Sequence, residues 1–171
     1  MELQAHLSGE FVELRPLRTE DWDGLFAAAS DPLIWEQHPA SDRYQEKVFG
    51  EFFQGALESK GAFVVIDRKT GKIIGSSRYH NYDSEKSQLE IGWTFLARSY
   101  WGGKYNGEMK RLMLEHAFRF VDVVVFRVGA TNLRSRKAVE KIGGVLTNRR
   151  ETIDLYGRAI EHVIYKIEKP R

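Results

Sequence analysis

The sequence contains no cysteine, which excludes disulfide bonds, thiolate metal sites and a cysteine nucleophile. No uncharged apolar run approaches ~20 residues, so no membrane span or membrane partner is predicted. Residues 1–10 lack the apolar stretch of a signal peptide. Because a chain without cysteine suits a reducing compartment, we expect a cytoplasmic protein.

What the chain does contain is typical of a globular protein. Its 171 residues are 42% hydrophobic and 29% charged, which predicts one folded domain over residues 1–171 with a substantial core. The formal net charge is +2, too small by itself to indicate a nucleic-acid partner.

The basic residues are concentrated in two segments. Residues 127–150 carry seven basic side chains against one acidic one, and residues 98–111 carry four against one. The remainder of the chain is therefore net acidic. Two basic segments on an acidic body predict a local site for a polyanion, and the alternative is a solvated basic face.

Hydrophobic periodicity predicts an α/β fold. Alternating or apolar runs predict strands at residues 11–15, 63–66, 72–79, 88–95, 123–128, 145–155 and 159–167. Helical spacing predicts helices at residues 19–29, 46–59, 107–120 and 132–142. The long connection between residues 95 and 123 contains a helix and permits a right-handed parallel crossover. We therefore expect a mixed, mostly antiparallel sheet with one central parallel pair, flanked by helices; Tyr156 and Gly157 form the last hairpin turn.

A glycine-rich loop precedes the helix predicted from Gly107. Unpaired backbone N–H groups and the helix dipole favour an anion at such a place. Gly102 and Gly103 permit close backbone approach, Lys104 adds positive charge, and Asn106 is positioned to cap the helix. The loop therefore predicts a phosphate site, with a simple strand-to-helix turn as the alternative.

Asn132 follows an apolar strand and begins the next predicted helix. Three cations, Arg134, Arg136 and Lys137, fall in the first turn of that helix. Cations there are unfavourable unless an anion compensates them, and such a local conflict is typical of a functional site. The alternative for Asn132 is an ordinary helix cap.

Four segments together resemble a known family. They are GEFVELRPL at 9–17, LEIGW at 89–93, YWGGKYN at 100–106 and NLRSRKAVEKIG at 132–143. In order and spacing they resemble the GNAT superfamily of N-acetyltransferases, closest to its Rim-type branch of ribosomal-protein N-terminal acetyltransferases. The resemblance covers nearly the whole chain and implies a splayed pair of parallel strands that grips acetyl-CoA, the acetyl donor, without a metal.

The resemblance also assigns residues to acetyl-CoA. The pantetheine arm would bond along the backbone near Phe95 and Leu96, the pyrophosphate would rest on amides of the glycine loop, and Asn132 would hold the pantetheine from the other side. The complete set is Phe95, Leu96, Arg98, Trp101, Gly102, Gly103, Lys104, Tyr105, Asn106, Asn132, Arg134 and Lys137. Two departures stand out: Lys104 and Asn106 occupy positions where the family has small residues, and Val139 stands where many members have a tyrosine acid.

The implied reaction is direct attack of a primary amine on the thioester. Glu90, on the strand beside the thioester site, is the predicted base, and Ser135 is the substitute for the missing tyrosine acid. The alternatives are a solvated glutamate and a helix-capping serine. The acceptor side is assigned to Trp35, His38, Arg78 and Tyr79. The alternatives are a packing role for Trp35 and Tyr79 and an exposed loop position for His38.

Other functions stay open at this stage. A CoA-binding sensor or scaffold without catalysis would fit the missing tyrosine and the altered loop. A nucleic-acid module would use the basic segments, but no basic aromatic RNA-binding motif is present, so we expect no nucleic-acid partner. The histidines lack metal-ligand spacing, which predicts no metal. The acceptor can be a protein N-terminus or a small-molecule amine, and a homodimer would cover exposed sheet edges.

Overall fold

The computed structural model describes residues 3–155 and 157–171, and within them the chain forms eight strands and four α-helices. The strands are β1 (Leu7–Ser8), β2 (Val12–Pro16), β3 (Ala62–Asp67), β4 (Ile73–Asp83), β5 (Gln88–Leu96), β6 (Val123–Gly129), β7 (Val145–Leu155) and β8 (Arg158–Glu168). The helices are α1 (Trp22–Ala29), α2 (Glu46–Ser59), α3 (Lys104–Ala117) and α4 (Leu133–Lys141). Tyr156, in the predicted last turn, lies outside the described residues. None of the described helices has the length and apolar character needed to cross a membrane.

The strands form one mixed sheet in the order β1-β2-β3-β4-β5-β6-β8-β7. Among the described strands, β5 and β6 are the parallel pair and the other neighbours are antiparallel. The predicted mixed sheet with a central parallel pair is therefore confirmed. The connection between the parallel strands contains α3, which supplies the crossover that such a pair requires.

Both faces of the sheet are covered. One buried cluster packs α3 against the sheet through Met109 and Met113, and the other packs α1 and α2 through Leu25, Phe49 and Phe53. Strand β6 is nearly continuously apolar because it lies between both layers, as expected for a strand buried on both faces.

Two helix starts differ from the sequence prediction. Helix α3 begins at Lys104, three residues before the predicted start, because Gly103 takes the N-cap position with φ 101°. Asn106 therefore lies inside the first turn and is not the cap. Residues Thr19–Asp21, predicted as the start of the first helix, form a separate 3-10 turn before α1. The N-cap residue of this turn is Arg18.

The parallel pair separates after three residue pairs. Gln88–Glu90 of β5 align with Val123–Val125 of β6, and the described register ends there. Just beyond that point, Trp93 has a φ of 51°, in the left-handed region that L-residues rarely adopt. The β4–β5 register also shifts between Ser76 and Arg78. This bulge redirects β5 away from β6.

Helix α3 is also tied to the start of the chain. One oxygen of Glu108 accepts hydrogen bonds from the backbone N–H groups of Phe11 at 2.7 Å and Val12 at 2.8 Å. The other accepts from Glu10 N–H at 3.0 Å. A single carboxylate therefore fixes the β1–β2 connection to the helix that borders the site described next.

Candidate active site

A cleft of about 450 Å³ opens where β5 and β6 separate. Residues 91–96 of β5 form one wall and residues 126–129 of β6 the other. The loop Trp101–Gly103, the first turns of α3 and α4, and the segment around His38 complete it. We call this space the cleft.

The separated strands leave backbone groups facing the cleft. The parallel ladder ends at Glu90 and Val125, while β5 continues to Leu96 and β6 to Gly129. Backbone N–H and C=O groups on the inner edges beyond that point are available to an extended ligand, which can bind as an added strand. Phe95 and Leu96, assigned to such a contact by the sequence, both line the cleft.

The charge of the cleft is one-sided. Of the described residues that line it, five have basic side chains and none is acidic: Lys110, Arg127, Arg134, Lys137 and Lys141. Because like charges in a concave site raise the local potential, this lining attracts a polyanion. Lys110 comes from the basic segment 98–111, and the other four come from the basic segment 127–150.

The glycine loop and α3 present backbone donors to the same space. Gly102 and Gly103 have φ values of 118° and 101°, which only glycine adopts without strain. Helix α3 has no side-chain cap, so N–H groups of its first turn, at Lys104–Asn106, have no acceptor within the helix. Together with the helix dipole, these donors favour an anion.

Helix α4 faces this loop across the cleft mouth. The Arg134 guanidinium lies 4.2 Å from the centroid of the Trp101 ring, and Trp101 Nε1 donates to the Leu96 carbonyl at 2.9 Å. Lys141 Nζ donates to the Gly102 carbonyl at 3.4 Å. These contacts fix the loop and the helix relative to each other.

Asn132 is buried at the start of α4 and lines the cleft. Its side-chain oxygen accepts from the Ser135 N–H at 3.3 Å, so it is a helix cap and a lining residue at once. Ser135 also lines the cleft, and the contact that ties it to the cap uses its backbone, not its hydroxyl.

Arg136 is one of the three cations in the first turn of α4, and groups within the protein bind it. Its Nε donates to the Tyr165 hydroxyl at 3.0 Å and one terminal nitrogen donates to the Ala130 carbonyl at 3.0 Å. Tyr165 in turn donates to Glu140 at 2.5 Å. Arg136 is therefore held by the protein, whereas Arg134 and Lys137 line the cleft.

Lys110 is a site residue that the sequence reasoning missed. Only 5% of it is exposed, and its Nζ donates to Thr94 Oγ1 at 3.1 Å and Asn106 Oδ1 at 3.4 Å. Burial lowers the pKa of this ammonium to about 7. The only available signal was its spacing of four residues from Asn106, which places both side chains on one helix face.

Glu90 is buried, contrary to the alternative of a solvated surface residue, with 4% exposed. Its carboxylate accepts from the Asn81 amide at 3.1 Å and pairs with Arg127 at 3.4 Å. Arg127 also lies 2.8 Å from Glu151. Glu90 does not itself line the cleft; it lies behind Arg127, which does, and next to Gly92.

The four residues predicted to bind the acceptor do not all lie in the cleft. Trp35 is 2% exposed, donates to the Ala29 carbonyl at 2.9 Å and lines the cleft. Tyr79 is fully buried, donates to the Met113 carbonyl at 2.5 Å and lies away from the cleft, so this placement does not support its predicted acceptor role. Arg78 lines a smaller neighbouring pocket.

His38 lines the cleft and is half-buried, so the alternative of an exposed loop residue is wrong. Its Nδ1 accepts from the Ala40 N–H at 2.9 Å, which leaves the proton of the neutral ring on Nε2. Burial, then repulsion by Arg43 and His162, lowers the pKa of His38 to about 3. At neutral pH this imidazole is a hydrogen-bond donor and a very weak base.

Three residues assigned to the donor by resemblance have side chains directed elsewhere. Arg98 pairs with Asp31, Lys104 Nζ lies 3.9 Å from the centroid of the Phe11 ring, and Tyr105 packs edge-on against Phe11. The side chains of Arg98, Lys104 and Tyr105 do not line the cleft. Their backbone contribution to the loop remains.

Comparison with known proteins gives a consistent result. Residues 12–145 match the model of the Acetyltransferase (GNAT) domain. A search of curated protein sequences found no match. The solved structures similar to this chain include a GCN5-related N-acetyltransferase from Brucella melitensis, with 21% identity, a TM-score of 0.86, and coverage of 96% of this chain and 79% of that one.

Two further structures show the same fold. A GNAT-family acetyltransferase from Bacillus anthracis has 20% identity, a TM-score of 0.78, and coverage of 96% of this chain and 98% of that one. A ribosomal-protein-S5-alanine acetyltransferase from Vibrio fischeri has 16% identity, a TM-score of 0.71, and coverage of 97% and 100%. At these identities the likeness establishes the fold and leaves the acceptor open.

Proposed function

This chain belongs to the GNAT acetyltransferase family, and from that premise we propose that it transfers an acetyl group from acetyl-CoA to a primary amine by direct attack in a ternary complex. The observation that carries the proposal is the cleft between β5 and β6, with five basic side chains and no acidic one among its described lining residues. A polyphosphate carrier with an extended amide-containing arm matches both the charge and the free strand edges.

The donor fits the residues present. The first-turn amides of α3, together with Lys137 and Lys141, would hold its phosphates, and Arg134 is positioned beside them over Trp101. Backbone groups near Phe95 would hold the arm, opposite Asn132. Bound acetyl-CoA supplies the acetyl thioester, whose carbon–sulfur bond breaks as the bond to the amine nitrogen forms.

The acceptor must lose a proton before it attacks. At pH 7 an α-amine with a pKa of ~8 is about one-tenth neutral, whereas a lysine side chain with a pKa of ~10.4 is about 0.04% neutral. Glu90 is the proposed base, acting through water because it lies behind Arg127 and outside the cleft lining. Ser135, in the lining, is the proposed donor to the departing sulfur.

Two classes of acceptor are compatible with this reaction. The resemblance to the Rim-type branch favours a protein N-terminus, and the same scaffold also suits a small-molecule amine. A primary amine of either kind satisfies the proposed chemistry.

The proposal is tested by calorimetry with CoA and by thiol release from acetyl-CoA with a panel of amines. We expect Lys137→Gln to weaken CoA binding about tenfold, because it removes a charged partner of the phosphates. Lys86→Gln, in an exposed turn outside the cleft, is the matched control with the same charge change. If folded protein gives no binding heat with CoA, the proposed function fails.

A further inference from the structure

A smaller cavity adjoins the cleft through a shared wall, Trp93. It has a volume of about 220 Å³ and lies between α2 and β4, with Phe52 and Glu51 from the helix and Arg78 from the strand. Arg43 completes it from the segment before α2. We call this cavity the arginine pocket.

Arg78 is a buried cation with incomplete hydrogen bonding. Only 6% of it is exposed, its Nε has no hydrogen-bond partner, and one terminal nitrogen donates to the Phe52 carbonyl at the long distance of 3.5 Å. Among the described residues, no carboxylate forms an ion pair with it. A buried charge without a counter-ion is costly, so such an arrangement is expected where an anionic ligand completes it.

Aromatic contacts do not remove this need. The Arg78 guanidinium carbon lies 4.3 Å from the centroid of the Trp93 ring and 5.6 Å from that of Phe52. A cation–π contact stabilises the charge but accepts none of the five N–H donors, which match the two oxygens of a carboxylate. The rings therefore position the guanidinium and leave its donors for a ligand.

The second arginine raises the positive potential of the pocket. Arg43 lies with its guanidinium carbon 4.9 Å from the centroid of the Phe52 ring. Burial, and then repulsion by Arg43, lowers the pKa of Arg78 to about 10, so Arg78 remains charged at neutral pH. Glu51 also lines the pocket, but its side chain is exposed and forms no ion pair with Arg78 in the described structure.

We infer that the acceptor amine carries a carboxylate and that Arg78 binds this group in the arginine pocket. This rests on the proposed amine acetylation and narrows its substrate class. Because Trp93 borders both spaces, a carboxylate at Arg78 leaves the amine of the same molecule beside the cleft. An amino acid and a peptide with an acidic residue near its N-terminus share this chemistry, while a polycationic amine is repelled by the two arginines.

The test uses acceptor pairs that differ only in a carboxylate or a carboxamide. One arm compares peptides with glutamate or glutamine at the second position, and the other compares free amino acids with their amides. The kcat/KM ratio within each pair is measured for the wild type, Arg78→Gln, Arg78→Lys and the control Arg111→Gln, whose side chain is half-exposed on α3. Differences in amine basicity within a pair cancel when ratios are compared between variants.

We expect the wild type to favour the carboxylate at least about tenfold in one arm, which identifies the source, and the ratio to approach one in Arg78→Gln. Arg78→Lys keeps part of the preference because the charge remains but the planar pair of donors is lost. Arg111→Gln behaves as the wild type. Equal ratios in the wild type and Arg78→Gln would overturn the inference and leave the acetylation of amines intact.

A binding measurement separates the two proposals. If no amine is acetylated although CoA binds, the proposed function fails, and the pocket is judged by calorimetry alone. N-acetylated forms of the same pairs are then titrated into the CoA complex. Tighter binding of the carboxylate that disappears in Arg78→Gln supports the arginine pocket, and equal binding of carboxylate and carboxamide rejects it.

Discussion

The ammonium of Lys110 donates to the hydroxyl of Thr94 across 3.1 Å, joining helix α3 to the strand that forms one wall of the cleft. Thr94 Oγ1 also lies 2.8 Å from Ser77 Oγ. The two groups that accept hydrogen bonds from this buried amine, Thr94 Oγ1 and Asn106 Oδ1, are neutral. Among the described residues, this amine is thus bound by neutral oxygens and by no carboxylate.

The first prediction follows from the lowered pKa of Lys110. The pKa of Lys110 is about 7 in the folded state and 10.5 in its ordinary state. At a pH between these two values, the unfolded chain binds a proton that the folded chain does not. The free energy of unfolding of the wild type should therefore rise with pH relative to Lys110→Met, by about 1.4 kcal/mol per unit. Below pH 7 both states bind the proton and the difference should be constant. Urea unfolding of both proteins between about pH 6 and 9 measures this, and parallel curves would contradict it.

The second prediction concerns Glu90 as the base. Glu90→Gln should lower kcat/KM about 100-fold for an amine with a pKa near 10.4 and about tenfold for an amine with a pKa near 8. The smaller loss is expected because a larger fraction of the amine with the lower pKa is already neutral at pH 7. The control is Glu115→Gln, which also removes a carboxylate paired with an arginine, on the exposed face of α3. Equal losses for both amines would indicate a structural role for Glu90.

The third prediction isolates the glycine loop. Alanine at Gly102, where φ is 118°, would meet no atom within 4 Å, so the substitution strains only the backbone. Gly71, with φ 75° and equally open surroundings, is a matched control in the β3–β4 hairpin. Both alanine variants should lose about 1–2 kcal/mol of unfolding free energy. Calorimetry should show weaker CoA binding for Gly102→Ala alone; equal affinity in both variants would contradict a role for the loop.

The fourth prediction concerns the fold. Glu108→Gln removes the charge from a carboxylate that accepts three backbone N–H groups, at Glu10, Phe11 and Val12. The free energy of unfolding should fall by about 2 kcal/mol, because charge-assisted hydrogen bonds become neutral ones. Glu115→Gln is again the control. A loss no larger than in the control would show that the β1–β2 connection is held by other contacts.

The sequence predicted the fold well because its strands and helices have clear periodicity and their order allows few topologies. The parallel pair, the three-strand meander before it and the final hairpin all follow from that pattern. The predicted start of α3 was wrong because a glycine with positive φ can cap a helix without any side-chain signal. Hydrophobic periodicity does not indicate which residue caps a helix.

The site was only partly predictable because its charges depend on distant partners. Glu90 was placed on the correct strand, but the sequence left open whether it is a base beside the thioester or a solvated residue; it is buried, and Arg127 and Asn81 reach it from neighbouring strands. Lys110 entered the sequence analysis only as one of four bases in residues 98–111, since a lysine within a helical pattern is normally solvated and gives no sign of burial. The bulge at Trp93, which separates the strands, likewise has no local sequence signature.

The contact between Glu108 and the Phe11 N–H spans 97 positions of the chain. During synthesis, which proceeds from the N-terminus, the amides of the β1–β2 connection emerge long before the carboxylate that will accept from them. Until then they are bonded by water, and the N-terminal edge of the sheet cannot acquire its final stability. The β1–β2 connection therefore acquires these three hydrogen bonds only after α3, the helix that presents the anion-binding amides, has been synthesised.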